Sequence, residues 1–168
     1  MNNDYEKLFD DLTVEKAIID KLKTKHWHIS CAESCTGGMI ISRLIGVSGA
    51  SDVISESHIT YSVEAKNKWL GVPFEVIQKD GVVSENTARM MVIGVSKLSG
   101  AEVSVSVTGY AGRDTEERMR DDGLCYFGIK INDDVYVSHY HAEGNRNASR
   151  IHQSAHILKT LYNYLKEL

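Results

Sequence analysis

Apolar positions along this chain switch repeatedly between a period of two and a period near 3.6. Trp27, Ile29 and Cys31 alternate with His28 and Ser30, which suits a strand, and Met39, Ile40 and Leu44 then follow helical spacing. Residues 53–61 read as a second strand that ends in the polar groups His58, Thr60, Tyr61 and Ser62. Helical spacing resumes over 64–70 and stops at Gly71, Val72 and Pro73. Pro73 fits the start of a short helix over 74–78 that closes at Asp80 and Gly81. The clearest amphipathic helix carries Ala88, Met91, Val92, Val95 and Leu98, with Ser84 as its cap and Gly100 just past its end. Val103, Val105 and Val107 alternate with Ser104, Ser106 and Thr108, a third strand that runs into Gly109. Cys125, Phe127, Ile129 and Ile131, the turn Asn132, Asp133 and Asp134, and a second alternating run over 135–141 form a hairpin signature. A last helix is marked by Ile151, Ser154, Ala155, Leu158, Leu161, Tyr162 and Leu165, and a first by Leu8, Leu12, Ala17, Ile18 and Leu22, broken near Asp10 and Asp11. Helices at both ends and between strands predict an α/β fold, a three-layer α/β/α arrangement around a mixed sheet.

Composition narrows the class without changing that picture. A chain of 168 residues is long enough for one domain with a real core and too short to expect two, so residues 1–168 are read as one unit. With 42% hydrophobic residues, 25% charged residues and a net charge of −4, the chain has the balance of an ordinary soluble protein, and nothing in it calls for nucleic acid or a membrane as partner. No apolar run approaches the length of a membrane span, and the first residues lack the basic-then-apolar order of a signal peptide, so a cytoplasmic location is expected. The odd cysteine count, Cys31, Cys35 and Cys125, predicts reduced structural thiols rather than a disulfide framework.

Candidate chemistry concentrates in the polar run over 33–38, between the first strand and the helix after it. The first backbone N–H groups of a helix have no partner within it, and with the helix dipole they favour an anion or a developing oxyanion, close to where Ser34 would lie. The competing reading is plainer: Ser34 or Thr36 caps the helix, and Gly37 and Gly38 allow close packing. Neither a dinucleotide-binding glycine fingerprint, a Walker-type string nor a Gly-x-Ser-x-Gly elbow is present. His139 and His141 share a strand face, and His152 and His156 share a helix face, but no acidic or cysteine partner sits at a diagnostic spacing, so no metal site is assigned.

Four segments in this order resemble the CinA C-terminal domain family, whose members include nicotinamide-nucleotide amidases. They are Ala32-Glu33-Ser34-Cys35-Thr36-Gly37-Gly38; Thr60-Tyr61-Ser62 with Glu64-Ala65-Lys66 and Leu70-Gly71-Val72; Gly81-Val82-Val83-Ser84; and Val107-Thr108-Gly109 with Ala111-Gly112. A fifth, Gly144-Asn145-Arg146 with Arg150, is similar to the family's Gly-Asp-Arg ending. The resemblance implies hydrolysis of the carboxamide of nicotinamide mononucleotide to the nicotinate nucleotide and ammonia, with no metal or organic cofactor. Its serine nucleophile falls on Ser34, and the tyrosine and lysine of the second segment fall on Tyr61 and Lys66. A serine hydroxyl needs a base at neutral pH, and a partly desolvated lysine serves, directly or through a tyrosine oxygen. Thr36, Gly37 and Gly38 would border the oxyanion, Thr108 and Gly109 the substrate, and Arg146 and Arg150 its phosphate. The family also implies association into a homodimer or larger. Over 113–122, however, the family's proline and glycines are replaced by five carboxylates and three guanidiniums at an apparently unchanged loop length. That substitution keeps a second reading open, a catalytically silent relative that binds a nucleotide or a protein through the same cleft.

Overall fold

The computed structural model describes residues 11–112 and 122–168, the side chain of Ser55 excepted. The start of the expected first helix and most of the charged segment, residues 113–121, lie outside the described residues. The elements follow the predicted order: α1 (Thr13–Lys25), β1 (Ile29–Glu33), α2 (Met39–Ile45), β2 (Ile54–Ile59), α3 (Val63–Leu70), α4 (Phe74–Asp80), α5 (Glu85–Ser99), β3 (Val103–Gly109), β4 (Leu124–Ile131), β5 (Asp134–His141) and α6 (Arg146–Lys166). The strands form one sheet in the order β2-β1-β3-β4-β5. β1 is parallel to both β2 and β3, whereas β3, β4 and β5 run antiparallel, so the sheet is mixed as expected.

Helices cover both faces. Ile18, Ile19 and Leu22 of α1 and Ile157, Leu158 and Leu161 of α6 pack with Val103, Val105 and Val107 of β3 and Phe127 of β4. Across the sheet, Ala32 of β1 meets Leu70 and Val72 at the end of α3, Ile77 of α4, and Met91 and Val95 of α5. The polar positions of β3 are buried too, since Ser104 and Ser106 are both fully inaccessible. They are small, and they let α5 approach the sheet: the Ser106 hydroxyl donates to Ala88 O at 2.7 Å and accepts from Gly128 N at 3.2 Å. Alternation in β3 therefore separates two packed layers rather than core from water.

The ends of the chain's first two strands and the start of its last helix position the site. The parallel pairing of β1 with β2 sets Glu33 beside Ile59, and Thr60 N continues the ladder to Glu33 O at 2.8 Å. The ends of both strands, and the helices after them, consequently open onto the same edge of the sheet. At the other end of the chain, Asn145 caps α6 by accepting from the amides of Asn147 and Ala148, which places Arg146 and Arg150 in its first turns. No helix among the described residues is long and apolar enough to cross a membrane.

Candidate active site

β1 ends at Glu33, and the chain turns through residues 34–38 into α2. Gly37 and Gly38 take left-handed conformations, with φ of 62° and 92°, which other residues adopt only under strain. A Cβ would also lie 3.0 Å from Arg150 Nη2 at Gly37 and 3.1 Å from Ile59 Cδ1 at Gly38, so the turn is crowded from two sides.

The sequence suggests that Ser34 or Thr36 caps α2, or that its first amides await an anion. The structure corrects the first expectation, since Gly38 stands at the cap position with no side-chain cap. The buried carboxylate of Glu33 reaches under the turn and accepts from Gly38 N at 3.0 Å, Ile40 N at 3.2 Å and Ile41 N at 2.9 Å, as well as from Thr36 Oγ1 at 2.6 Å. Gly37 N is taken by Ser34 O at 3.1 Å. A carboxylate removed from water requires donors for its lone pairs, and the start of a helix supplies both donors and the positive end of a dipole. The amides of Gly37, Gly38, Ile40 and Ile41 are thus occupied from inside the protein.

With capping supplied by Glu33, the hydroxyl of Ser34 is engaged elsewhere. Lys66 Nζ lies 3.0 Å from Ser34 Oγ, 2.7 Å from Thr60 O and 3.4 Å from Tyr61 O. Its side chain is completely buried in α3. Ser62 starts that helix by accepting from Ala65 N, so Lys66 lies one turn in. Its three neighbours are neutral oxygens, and burial lowers the Lys66 pKa from an ordinary lysine value to about 8, weakly opposed by the sulfur of Cys35. As an ammonium the amine donates to Ser34 Oγ and to both carbonyls; on losing a proton it can keep two N–H groups on the carbonyls and turn its lone pair to the Ser34 hydroxyl.

Tyr61 contributes to the lysine only through its backbone. Its ring is 64% exposed, and its hydroxyl accepts from Arg146 Nη2 at 3.2 Å. Of the two activation routes open in the sequence, direct and through the tyrosine oxygen, the direct contact is the one present. Ser34, Tyr61, Thr108, Gly109, Asp122 and Arg146 share the wall of a cavity of about 200 Å³. Thr108 donates its hydroxyl to Val82 O at 2.7 Å. Gly109 is required by packing, because a Cβ there would come within 2.5 Å of Cys125 Cβ.

The remaining site candidates stand behind the cavity wall. Thr36, Gly37 and Gly38 form the back of the turn that carries Ser34. Arg150 grips that turn, with Nε at 3.3 Å and Nη2 at 3.0 Å from Thr36 O, while Nη1 donates to Asn147 Oδ1 at 3.2 Å. Glu33 received no role from its sequence position, although an acidic residue just before a Ser-x-Thr-Gly-Gly turn at a strand-to-helix junction is a usable signal for a buried cap. The thiols of Cys31, Cys35 and Cys125 are free and buried, and burial raises the pKa of each, that of Cys125 to about 12. Among the described residues no group of three His, Cys, Asp or Glu side chains gathers as a metal site. His156 instead stacks on Tyr140, with ring centroids 4.0 Å apart.

Comparison with known proteins agrees with this architecture. The CinA C-terminal domain model matches residues 11–165. A CinA-like protein of Fusobacterium nucleatum is 42% identical over 161 residues, covering 95% of this chain and 38% of that protein. A CinA-like protein of Kosmotoga olearia is 39% identical over 138 residues, covering 82% and 34%. The chain therefore spans little more than a third of the length of the curated relatives it matches. The crystal structure of competence/damage inducible protein CihA from Agrobacterium tumefaciens superposes with a TM-score of 0.86 at 30% identity, covering 92% of this chain and 94% of that one. With a family model spanning nearly all of the described fold, the chain belongs to the CinA C-terminal domain family.

Proposed function

We propose that this domain is a serine amidohydrolase that converts nicotinamide mononucleotide to nicotinate mononucleotide and ammonia. The observation that carries the reading is the buried contact between Lys66 Nζ and Ser34 Oγ at 3.0 Å, beside a cavity that Ser34 itself lines. In the neutral form, Lys66 accepts the Ser34 proton as Oγ adds to the carboxamide carbon. The transfer leaves a cation beside the negative charge growing on the carbonyl oxygen. As the tetrahedral adduct collapses, Lys66 returns the proton to the departing nitrogen, and ammonia leaves an ester on Ser34. Water then attacks that ester with Lys66 again as base, and the products are the free carboxylate and the regenerated hydroxyl. Arg146, on the cavity wall, is the cation placed to meet the substrate's phosphate.

The test is release of ammonia from nicotinamide mononucleotide by the purified protein and by Ser34→Ala. We expect turnover in the parent and none above background in the variant, with the fold retained. Turnover that survives in Ser34→Ala would remove the nucleophile assignment. Binding of the nucleotide without any ammonia would move the domain to the binding-only reading favoured by the charged replacements over 113–122.

A further inference from the structure

Thr36, two residues after Ser34, is held from opposite sides. Its hydroxyl donates to the Glu33 carboxylate at 2.6 Å inside the protein, and its carbonyl receives two N–H groups from Arg150 of α6 at 3.3 and 3.0 Å. The guanidinium closes over the turn where Gly37 leaves room, since a Cβ on Gly37 would lie 3.0 Å from Nη2. Its third nitrogen is engaged by Asn147, one turn earlier in the same helix. Arg146 is disposed differently: it lines the cavity and donates to the Tyr61 hydroxyl. The two arginines, four residues apart, therefore face different tasks.

We propose that Arg150 is a positioning residue that, opposite Glu33, locks the turn carrying Ser34 at its distance from Lys66, and that it is not a ligand of the substrate's phosphate. A planar guanidinium gives Thr36 O two donors from one rigid group, which fixes the carbonyl in orientation as well as in place. Ser34 Oγ has few ways to keep a 3.0 Å contact with a buried amine if the turn two residues later drifts. A displacement of about 1 Å at a reacting group is enough to lose on the order of a hundredfold in rate. The inference rests on the amidase reading for its kinetic arm, and on the turn alone for its second arm.

The experiment compares the parent with Arg150→Met and Arg150→Lys in two ways. Steady-state kinetics use nicotinamide mononucleotide and the corresponding riboside, which lacks the phosphate. Hydrogen exchange is followed by mass spectrometry on peptides spanning residues 34–41, with thermal melting as a check that each variant folds. We expect Arg150→Met to lower kcat roughly 10- to 100-fold for both substrates, to change KM less than twofold, and to leave the preference for the phosphorylated substrate intact. Exchange at Gly38, Ile40 and Ile41 should accelerate, and Arg150→Lys, with a single point donor, should fall between the other two. A raised KM confined to the mononucleotide, with kcat preserved, would make Arg150 a phosphate ligand and overturn the proposal. Unchanged exchange in a folded Arg150→Met protein would overturn it whatever the kinetics show. If the parent releases no ammonia, the amidase reading falls separately, and the exchange comparison still decides whether Arg150 holds the turn.

Discussion

Two strand-to-helix junctions lie side by side on this sheet, and they are capped in opposite ways. At the end of β2, Ser62 caps α3 locally, its hydroxyl accepting from Ala65 N three residues on, and the junction is solvent-exposed. At the end of β1, Gly38 begins α2 with no side-chain cap of its own, and the carboxylate of Glu33 reaches forward to three amides and a hydroxyl in a buried setting. A serine that caps a helix has its oxygen committed to a backbone amide. By taking over that duty, Glu33 leaves the hydroxyl of Ser34 free to meet Lys66, which the ordinarily capped junction delivers from the neighbouring helix. The difference teaches that the Ser34 hydroxyl is kept available by a carboxylate behind it as much as by the lysine in front of it.

Removing Lys66, the proposed base, is the sharpest way to break this pairing. Lys66→Met should lower kcat/KM by about a thousandfold, within the usual range for loss of a general base. In the parent, kcat/KM should rise with pH and level off above about 8, where Lys66 has lost its proton, and that rise should be missing from the variant. Stability should also rise with pH. The folded pKa lies near 8 and the unfolded value near 10.5, so between them the unfolded chain binds more protons and stability increases with pH. Below pH 8 the buried cation costs the folded state roughly 3 kcal/mol, from about 2.5 pKa units at 1.36 kcal/mol each. Leaving Thr60 O without its donor offsets part of that, at about 1 kcal/mol. Lys66→Met should thus be about 1 to 2 kcal/mol more stable than the parent at pH 7 in urea unfolding, with the gain shrinking towards pH 10.5. A variant less stable at pH 7 would mean that Lys66 is held as a welcome cation, and the base assignment would lose its footing.

That opposition between stability and chemistry marks where the sequence is readable and where it is not. Elements with a strong period, such as α5 with its Ser84 cap and Gly100 stop or the β4–β5 hairpin, are legible because local spacing and the buried face agree. The grouping of Ser34 with Lys66 is hinted at only by the motifs, since their contact depends on the parallel register of β1 and β2 and spans 32 positions. The role of Glu33 is less visible still. A sequence shows which residues favour a cap position, whereas a side chain reaching five to eight residues ahead depends on the path of the turn, here set by two left-handed glycines. The neighbours of Arg150 are equally hidden: its residue type suggests a phosphate, whereas two of its nitrogens donate to Thr36 O, 114 positions away in the chain, and a third to Asn147.

The carboxylate cap offers the next largest effect. Glu33→Gln keeps the shape of the side chain but replaces one acceptor oxygen with an amide nitrogen, so at least one of the donors from Gly38, Ile40, Ile41 and Thr36 must face another donor. Charge-assisted bonds are lost as well, and the N-terminal end of α2 loses its negative partner. The expected cost is roughly 2 to 4 kcal/mol, read from the urea midpoint at unchanged m-value. Activity should fall by about tenfold, because a turn that loosens lets Ser34 Oγ leave its contact. A Glu33→Gln protein as stable as the parent would show that the amides of α2 are satisfied without the carboxylate, and the contrast between the two junctions would collapse.

The smallest effect belongs to the ordinary cap. Ser62→Ala removes one acceptor for Ala65 N at an exposed helix start, where water replaces it, so the cost should be about 1 kcal/mol. Ser62→Gly should cost only a few tenths, because the backbone at position 62 is extended and glycine is itself a tolerated cap. Neither substitution should change kcat/KM by more than about twofold. Lys66 is held beyond the cap by Thr60 O and Tyr61 O, and Leu70 anchors the far end of α3 in the core, so fraying of the first turn does not reach the amine. The contrast between the junctions requires Glu33→Gln to lose at least about 1 kcal/mol more than Ser62→Ala in the same buffer. Equal losses, or a large drop in activity from Ser62→Ala alone, would mean that the two junctions are held by the same means and that the turn carrying Ser34 has no special support.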